Sequence, residues 1–310
     1  MKKKLIYELK SLYRDSLRVY AYEFGEGEES VCVVGALRGN EIQQMYICSL
    51  LIERLKLYEK NNYITSGRKI VVIPCVNTYS MNQVKRFWPQ DDTDINRMFP
   101  GYYAGETTQR IAESIFDAVK NFPCGIQFTS FYIPGQFSTH IRMMKTGLED
   151  IENSKLFGLP YVVVRAPRPY DTTTLNYNWQ IWNCKAYSLY TKACDFIDRP
   201  SAKEACRSVL RFFYAKKITT LPVPGGFHSE IIEEDRMLSV KSKSAGFMER
   251  LVAVNEEVYK GEIIARIYDP YEHIVIEELT APCNGTVFFV HAKDIVYAHT
   301  SIVKLKINQV

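Results

Sequence analysis

Two places in the chain group side chains that could do chemistry. In Val31-Cys-Val-Val-Gly-Ala-Leu-Arg-Gly-Asn-Glu41, Arg38 stands three residues before Glu41, close enough for an ion pair on one turn. In Arg86-Phe-Trp-Pro-Gln-Asp-Asp-Thr-Asp-Ile-Asn-Arg-Met-Phe-Pro-Gly101, Asn96 and Arg97 follow Asp91 and Asp94. A guanidinium fork matches a carboxylate with two parallel hydrogen bonds, and a neighbouring amide adds a donor. Such a pair either grips a carboxylate ligand or pins its own loop to Asp91 or Asp94.

The elements that must hold these groups follow from pattern. Val31 to Ala36 is short, apolar and β-branched, which suits an interior strand. Gly35 and Gly39 permit a tight turn. Asn40 is a good N-cap. Ile42, Met45, Cys48, Leu51, Ile52 and Leu55 then mark one helical face to about Lys60. That corner lies at the carboxyl end of a strand, where open α/β sheets place ligands. Strand character also marks 16–24, 69–76, 125–131, 137–144, 161–166 and 186–193. Helical character marks 106–122, 151–158 and 200–217. The stretch from Asn77 to Gly105 is a long irregular loop of the kind that usually carries function. Strands alternating with helices predict an α/β fold, a mostly parallel mixed sheet with helices on both faces, over 1–230. From His228 the texture turns to short alternating runs with no strong helix, which predicts a small all-β domain over 231–310.

The chain of 310 residues carries a net charge of +4 with its basic residues dispersed, so nucleic acid is not an expected partner. No apolar run approaches a membrane span, and no apolar segment follows Met1-Lys-Lys-Lys4 as in a secretory signal. The eight cysteines are scattered without a CxxC, as expected of free thiols in a reducing cytoplasm. His228, His273, His291 and His299 show no metal-ligand spacing.

The corner motif resembles the first metal motif of the succinylglutamate desuccinylase/aspartoacylase family, zinc deacylases on the zinc-carboxypeptidase fold. The family pattern is Gly-x-x-His-Gly-Asp/Asn-Glu, in which His and Glu hold zinc. This chain reads Gly35-Ala36-Leu37-Arg38-Gly39-Asn40-Glu41. The segment from Arg86 to Gly101 is similar to the family's Arg-Phe-x-Pro-x-Asp-Gly-x-Asp-Leu-Asn-Arg-x-Phe-Pro-Gly. The resemblance implies that Asn96 and Arg97 bind a substrate carboxylate. Laid on the family's Asp-Leu-His pattern, Gln127-Phe-Thr-Ser-Phe-Tyr-Ile-Pro-Gly-Gln-Phe-Ser-Thr-His-Ile-Arg142 puts Thr129 at the second metal-binding His and Arg142 at a further carboxylate contact. In Ala186-Tyr-Ser-Leu-Tyr190, Tyr190 takes the place of the general-base Glu. The tail's Val258-x-x-Gly261-x-Ile263 and Ala281-Pro282-x-x-Gly285-x-Val287 are similar to biotinyl/lipoyl-like domains, here with no lysine in Tyr268 to His273.

Glu41 is thus the one ligand kept. An arginine cannot donate a lone pair, a threonine hydroxyl is a poor zinc ligand, and a phenol is a weak base at neutral pH. The expectation is a family member without zinc or any other cofactor, whose Arg38 pairs with Glu41 and whose Arg38, Asn96, Arg97 and Arg142 bind a small carboxylate. An active deacylase with a rearranged metal site, drawing on Glu41, His140 or a cysteine, stays open. So does a structural role in which the β domain makes a homo-oligomer. Tyr102 and Tyr103 could line the pocket or simply sit in the loop.

Overall fold

The computed structural model describes residues 1–12 and 15–308, and the chain divides into two compact units. The first is Met1–Ser130, Thr139–Tyr190 and Cys194–Ile231; the second is Phe131–Ser138, Thr191–Ala193 and Ile232–Val310. The first is an α/β unit built on a nine-stranded mixed sheet. Its strands are β1 (Lys2–Leu9), β2 (Leu17–Phe24), β3 (Gly27–Ala36), β4 (Gly67–Cys75), β5 (Cys124–Thr129), β7 (His140–Met144), β8 (Tyr161–Arg165), β9 (Lys185–Tyr190) and β10 (Glu230–Glu233). The short β6 (Gly135–Phe137) belongs to the second unit. The sheet order is β1-β2-β4-β3-β5-β9-β7-β8-β10. β3, β4, β5 and β9 are mutually parallel where they pair, whereas β7 runs antiparallel to β9.

Helices cover both faces. α1 (Ile42–Lys60) and α6 (Arg199–Ala215) share one core with Val31, Val33, Ile126 and Leu189; α3 (Thr107–Val119) and α5 (Leu175–Ile181) share the other with Cys32, Val34 and Ala186. The remaining helices, α2 (Thr78–Met81) and α4 (Ile151–Ser154), are single turns. No helix among the described residues is long and apolar enough to cross a membrane. The cysteines are free thiols.

Several local expectations need correcting. Asn40 does not cap α1: the capping position is Glu41, whose carboxylate turns back onto the corner instead. Met45 is exposed, and the buried face of α1 runs through Gln44, Ile47, Cys48, Leu51 and Leu55, because the helix begins with two buried glutamines. Neither Gly35 nor Gly39 has a positive φ; each is needed because a Cβ would collide with backbone, of Pro74 at 2.3 Å and of Ser80 at 2.2 Å. In the sheet, β9 lies between β5 and β7. β1 and α5 had no clear periodicity and were not anticipated.

The second unit contains β11 (Met237–Lys241), β12 (Gly246–Arg250), β13 (Glu257–Val258), β14 (Ile263–Tyr268), β15 (Val275–Thr280), β16 (Gly285–His291), β17 (Ile295–Val296) and β18 (Ser301–Ile307). They form two antiparallel sheets, β11-β18-β16-β13 with β6 added to β16, and β15-β14-β12-β17. Between them lies a core of Ile264, Ile267, Val287, Ile302, Val303 and Leu305.

α5 lies hard against β5. A Cβ on Gly125 would stand 2.7 Å from the Trp179 indole, whose Nε1 donates to the Val119 carbonyl at 3.1 Å. Gly125→Ala is therefore expected to destabilise the protein by about 1–3 kcal/mol through overpacking, read as a lower urea midpoint with an unchanged m-value.

Candidate active site at the carboxyl ends of the strands

The corner after β3 is closed by Glu41. Its Oε2 accepts from the backbone N–H groups of Leu37 and Arg38 at 2.9 and 3.0 Å. Its Oε1 accepts from Arg38 Nη1 at 3.0 Å and from Ser130 Oγ at 2.6 Å. Glu41 is fully buried, and four hydrogen bonds satisfy its carboxylate. Arg38, 2% exposed, turns its other edge to Asp94, with Nε donating to both carboxylate oxygens at 2.9 Å. Arg86 approaches the same carboxylate at 3.7 Å. Arg38 thus ties the corner to the long loop before α3.

Charge explains the protonation states. Burial pushes the Asp94 carboxyl up, but the guanidinium groups of Arg38 and Arg86 outweigh it and hold Asp94 below the usual carboxylate range. Burial works against the charged form of Arg38 too, and Asp94 and Glu41 more than compensate, so its pKa is raised. Arg86 is pushed down to about 10 by burial and then by Arg38. Arg97 is lowered in the same way. Cys194 beside Glu41 is pushed up to about 12, by burial first and that carboxylate second, so it stays a thiol at neutral pH.

The loop pair does not bond to Asp91. Asn96 Oδ1 accepts from the Leu175 N–H at 3.1 Å, at the start of α5. Arg97 donates to the Tyr170 carbonyl at 2.8 Å and faces Asp171 at 3.5 Å. Asp171 also pairs with the buried Arg165. The backbone of Asn96 nevertheless donates to Asp94 Oδ1 at 3.0 Å, so the second expectation, a loop pinned to Asp94, describes part of the geometry.

Strand register gathers the remaining expected residues. Thr129 on β5 aligns with Tyr190 on β9, and Tyr190 with His140 on β7. One step along the same face, Gln127 aligns with Ser188, and Ser188 with Arg142. The His140 ring stacks on Tyr190 at 4.9 Å, and the Arg142 guanidinium lies 4.7 Å from the same phenol ring's centroid. Thr129 contributes its carbonyl, which accepts from Gln44 Nε2 at 3.1 Å. Tyr102 and Tyr103 are exposed.

Four participants escaped the sequence reading: Ser130 on Glu41, Asp94 as the second partner of Arg38, and the Arg165–Asp171 pair beneath Arg97. Asp94 and Ser130 adjoin the motifs already singled out. Arg165 and Asp171 stand six residues apart across the turn after β8, and their pairing was not anticipated.

Residues 28–126 match the family model described as the succinylglutamate desuccinylase/aspartoacylase catalytic domain. That match covers 99 of the 310 residues and agrees with the resemblance of the motifs at 35–41 and 86–101 to the succinylglutamate desuccinylase/aspartoacylase family. The matched segment contains Arg38, Glu41, Asn96 and Arg97, and ends before Thr129. Among curated proteins, the N-alpha-acetyl-L-2,4-diaminobutyric acid deacetylase of Halomonas elongata is 25% identical over 259 residues, 79% of this chain and 72% of that one. The fold is shared with a succinylglutamate desuccinylase from a Silicibacter species (TM-score 0.80, 17% identity, 98% of this chain and 93% of that chain). It is shared as well with the product-bound ectoine utilization protein EutE (DoeB) from Ruegeria pomeroyi (TM-score 0.78, 16% identity, 94% and 90%).

Two outcomes are expected. Arg38→Met leaves two buried carboxylates without their guanidinium and should cost about 3–5 kcal/mol, measured by denaturant unfolding. Asp94, being depressed, contributes stability that is present above the unfolded carboxylate value of about 3.9 and is lost as pH falls through its lower folded value. Unfolding free energies measured between neutral and strongly acidic pH should accordingly fall less steeply in Asp94→Asn than in the wild type.

Proposed function

We propose that this chain binds a small carboxylate, such as an N-acyl amino acid or a peptide terminus, without hydrolysing it. The carrying observation is the Arg38 guanidinium held between Glu41 and Asp94. Catalytic zinc needs about three protein ligands plus water. At the family's ligand positions this chain has an arginine, a threonine carrying no lone pair of the preferred kind, and a glutamate whose oxygens already accept four hydrogen bonds. No group of three or more His, Cys, Asp or Glu is arranged to hold a metal among the described residues. The donor set does not fit zinc, so no step is assigned to a metal, and Tyr190 is read as a wall of the pocket rather than a base.

Positive charge favours the ligand instead. Arg38 pairs with Glu41 and Asp94, Arg86 approaches Asp94, Arg97 and Arg165 meet Asp171, and Arg142 lies over the Tyr190 ring, so several guanidinium groups lie at this end of the sheet. In this reading Arg97 and Arg142 take the carboxylate, Asn96 holds the Arg97 loop to α5, and Arg38 supplies field rather than contact. The second unit is read as a biotinyl/lipoyl-like β-sandwich whose hairpin tip carries Tyr271, 96% exposed, and no lysine to modify.

A second reading, an active deacylase, is favoured by the deacetylase relative that spans 79% of this chain. The two separate in one calorimeter experiment with N-acetyl and free amino dicarboxylates. The first reading expects saturable binding, loss of at least about tenfold in affinity in Arg97→Ala, and no release of acetate on prolonged incubation. Steady acetate release would favour the second. Absence of any binding would leave a purely structural role.

A further inference from the structure

The outer face of the β15-β14-β12-β17 sheet in the second unit carries an apolar row where a face turned to water is normally polar. Val296, Met248, Ile267 and Leu279 belong to the core of that unit. Side chains alternate along a strand, so their chain neighbours Ile295, Phe247, Tyr268 and Glu278 point outwards. Register sets Ile295 opposite Phe247, Phe247 opposite Tyr268, and Tyr268 opposite Val275. The four make one row straight across the sheet, with Ile295 60%, Val275 45% and Phe247 42% exposed. Exposed apolar bands with polar rims mark contact surfaces.

A charged row runs beside it. Two residues along the strands, Glu249 stands opposite Arg266, and Arg266 opposite Glu278. Arg266 approaches Glu249 at 3.7 Å and donates to Glu278 at 3.0 Å. The Tyr268 hydroxyl donates to Glu249 at 2.8 Å, which ties the two rows together. The charges therefore read negative, positive, negative across β12, β14 and β15.

We propose that this face receives a second copy of the chain, stacked face to face about a two-fold axis that runs parallel to the strands between β12 and β14. An interface of this symmetry must be complementary to itself. About that axis Phe247 meets Tyr268 of the second copy and Ile295 meets Val275, so the apolar rows cover each other fully. Each Glu249 then meets an Arg266. An axis along β12 would set Glu249 against itself, and one along β14 would set Arg266 against itself, which like-charge repulsion opposes. An axis between β14 and β15 would leave Ile295 and Phe247 uncovered. A partner of another sequence would need both rows in the same order, which a second copy supplies. Four strands by two rows cover less than the about 800 Å² per partner of a standard interface, so the pairing belongs to the weak, micromolar class. The surface lies in the second unit and stands whether or not the first unit binds a carboxylate.

Sedimentation velocity of the full chain, from about 1 to 300 µM, tests the pairing. The wild type should pass from one chain of 35.9 kDa towards two. Glu249→Lys and Arg266→Glu should each weaken self-association by about tenfold or more, because each alone opposes like charges across the axis. An equimolar mixture of the two should restore it, because the mixed pair opposes unlike charges at both crossings. Phe247→Gln, which keeps the charges and changes an exposed position, should weaken it by about tenfold as well. A wild type that stays a single chain throughout overturns the proposal. Self-association that none of the variants weakens puts the contact on another face and overturns it too. So does a mixture that associates no better than its components. Should a charge variant fail to fold, unchanged association in Phe247→Gln still decides against the face.

Discussion

A guanidinium buried between two carboxylates fixes the geometry at the carboxyl ends of the strands. Removing charges from water costs several kcal/mol per ion, and only dense hydrogen bonding offsets it. Arg38 meets that condition by forking to Asp94 and reaching Glu41, while Glu41 also accepts two backbone N–H groups and the Ser130 hydroxyl. The corner after β3 and the loop before α3 cannot move apart without stranding one of these charges. The loop that carries Asp94 also carries Asn96, bonded at the head of α5, and Arg97, set against Asp171.

The same arrangement biases what the site can hold. Glu41 and Asp94 spend their lone pairs on donors within the chain, and Arg86 is pushed down to about 10 by burial first and the Arg38 guanidinium second. On the proposed reading, a site of this polarity takes an anion.

Much of this was legible in the chain. The interior strand from Val31 to Ala36, the ion pair between Arg38 and Glu41, and the irregular segment from Asn77 to Gly105 follow from residue type and spacing. The errors have physical causes. Asn40 looks like a cap by propensity, yet Glu41 satisfies the corner's N–H groups itself, four residues from Leu37. The order β5-β9-β7 was not read from the chain, because strand order rests on pairings between residues far apart in sequence. Asp171 and Arg165 meet across the turn after β8, six residues apart, a spacing at which neither a helix nor a strand brings side chains into contact.

Metal content of the purified full chain, expressed in zinc-supplemented medium and quantified by plasma emission, bears most directly on the anchor's role. With Arg38 seated between Glu41 and Asp94, zinc should be substoichiometric and removable by a brief chelator wash without loss of heat stability. One tightly held zinc per chain, whose removal lowers the melting temperature, would contradict the account.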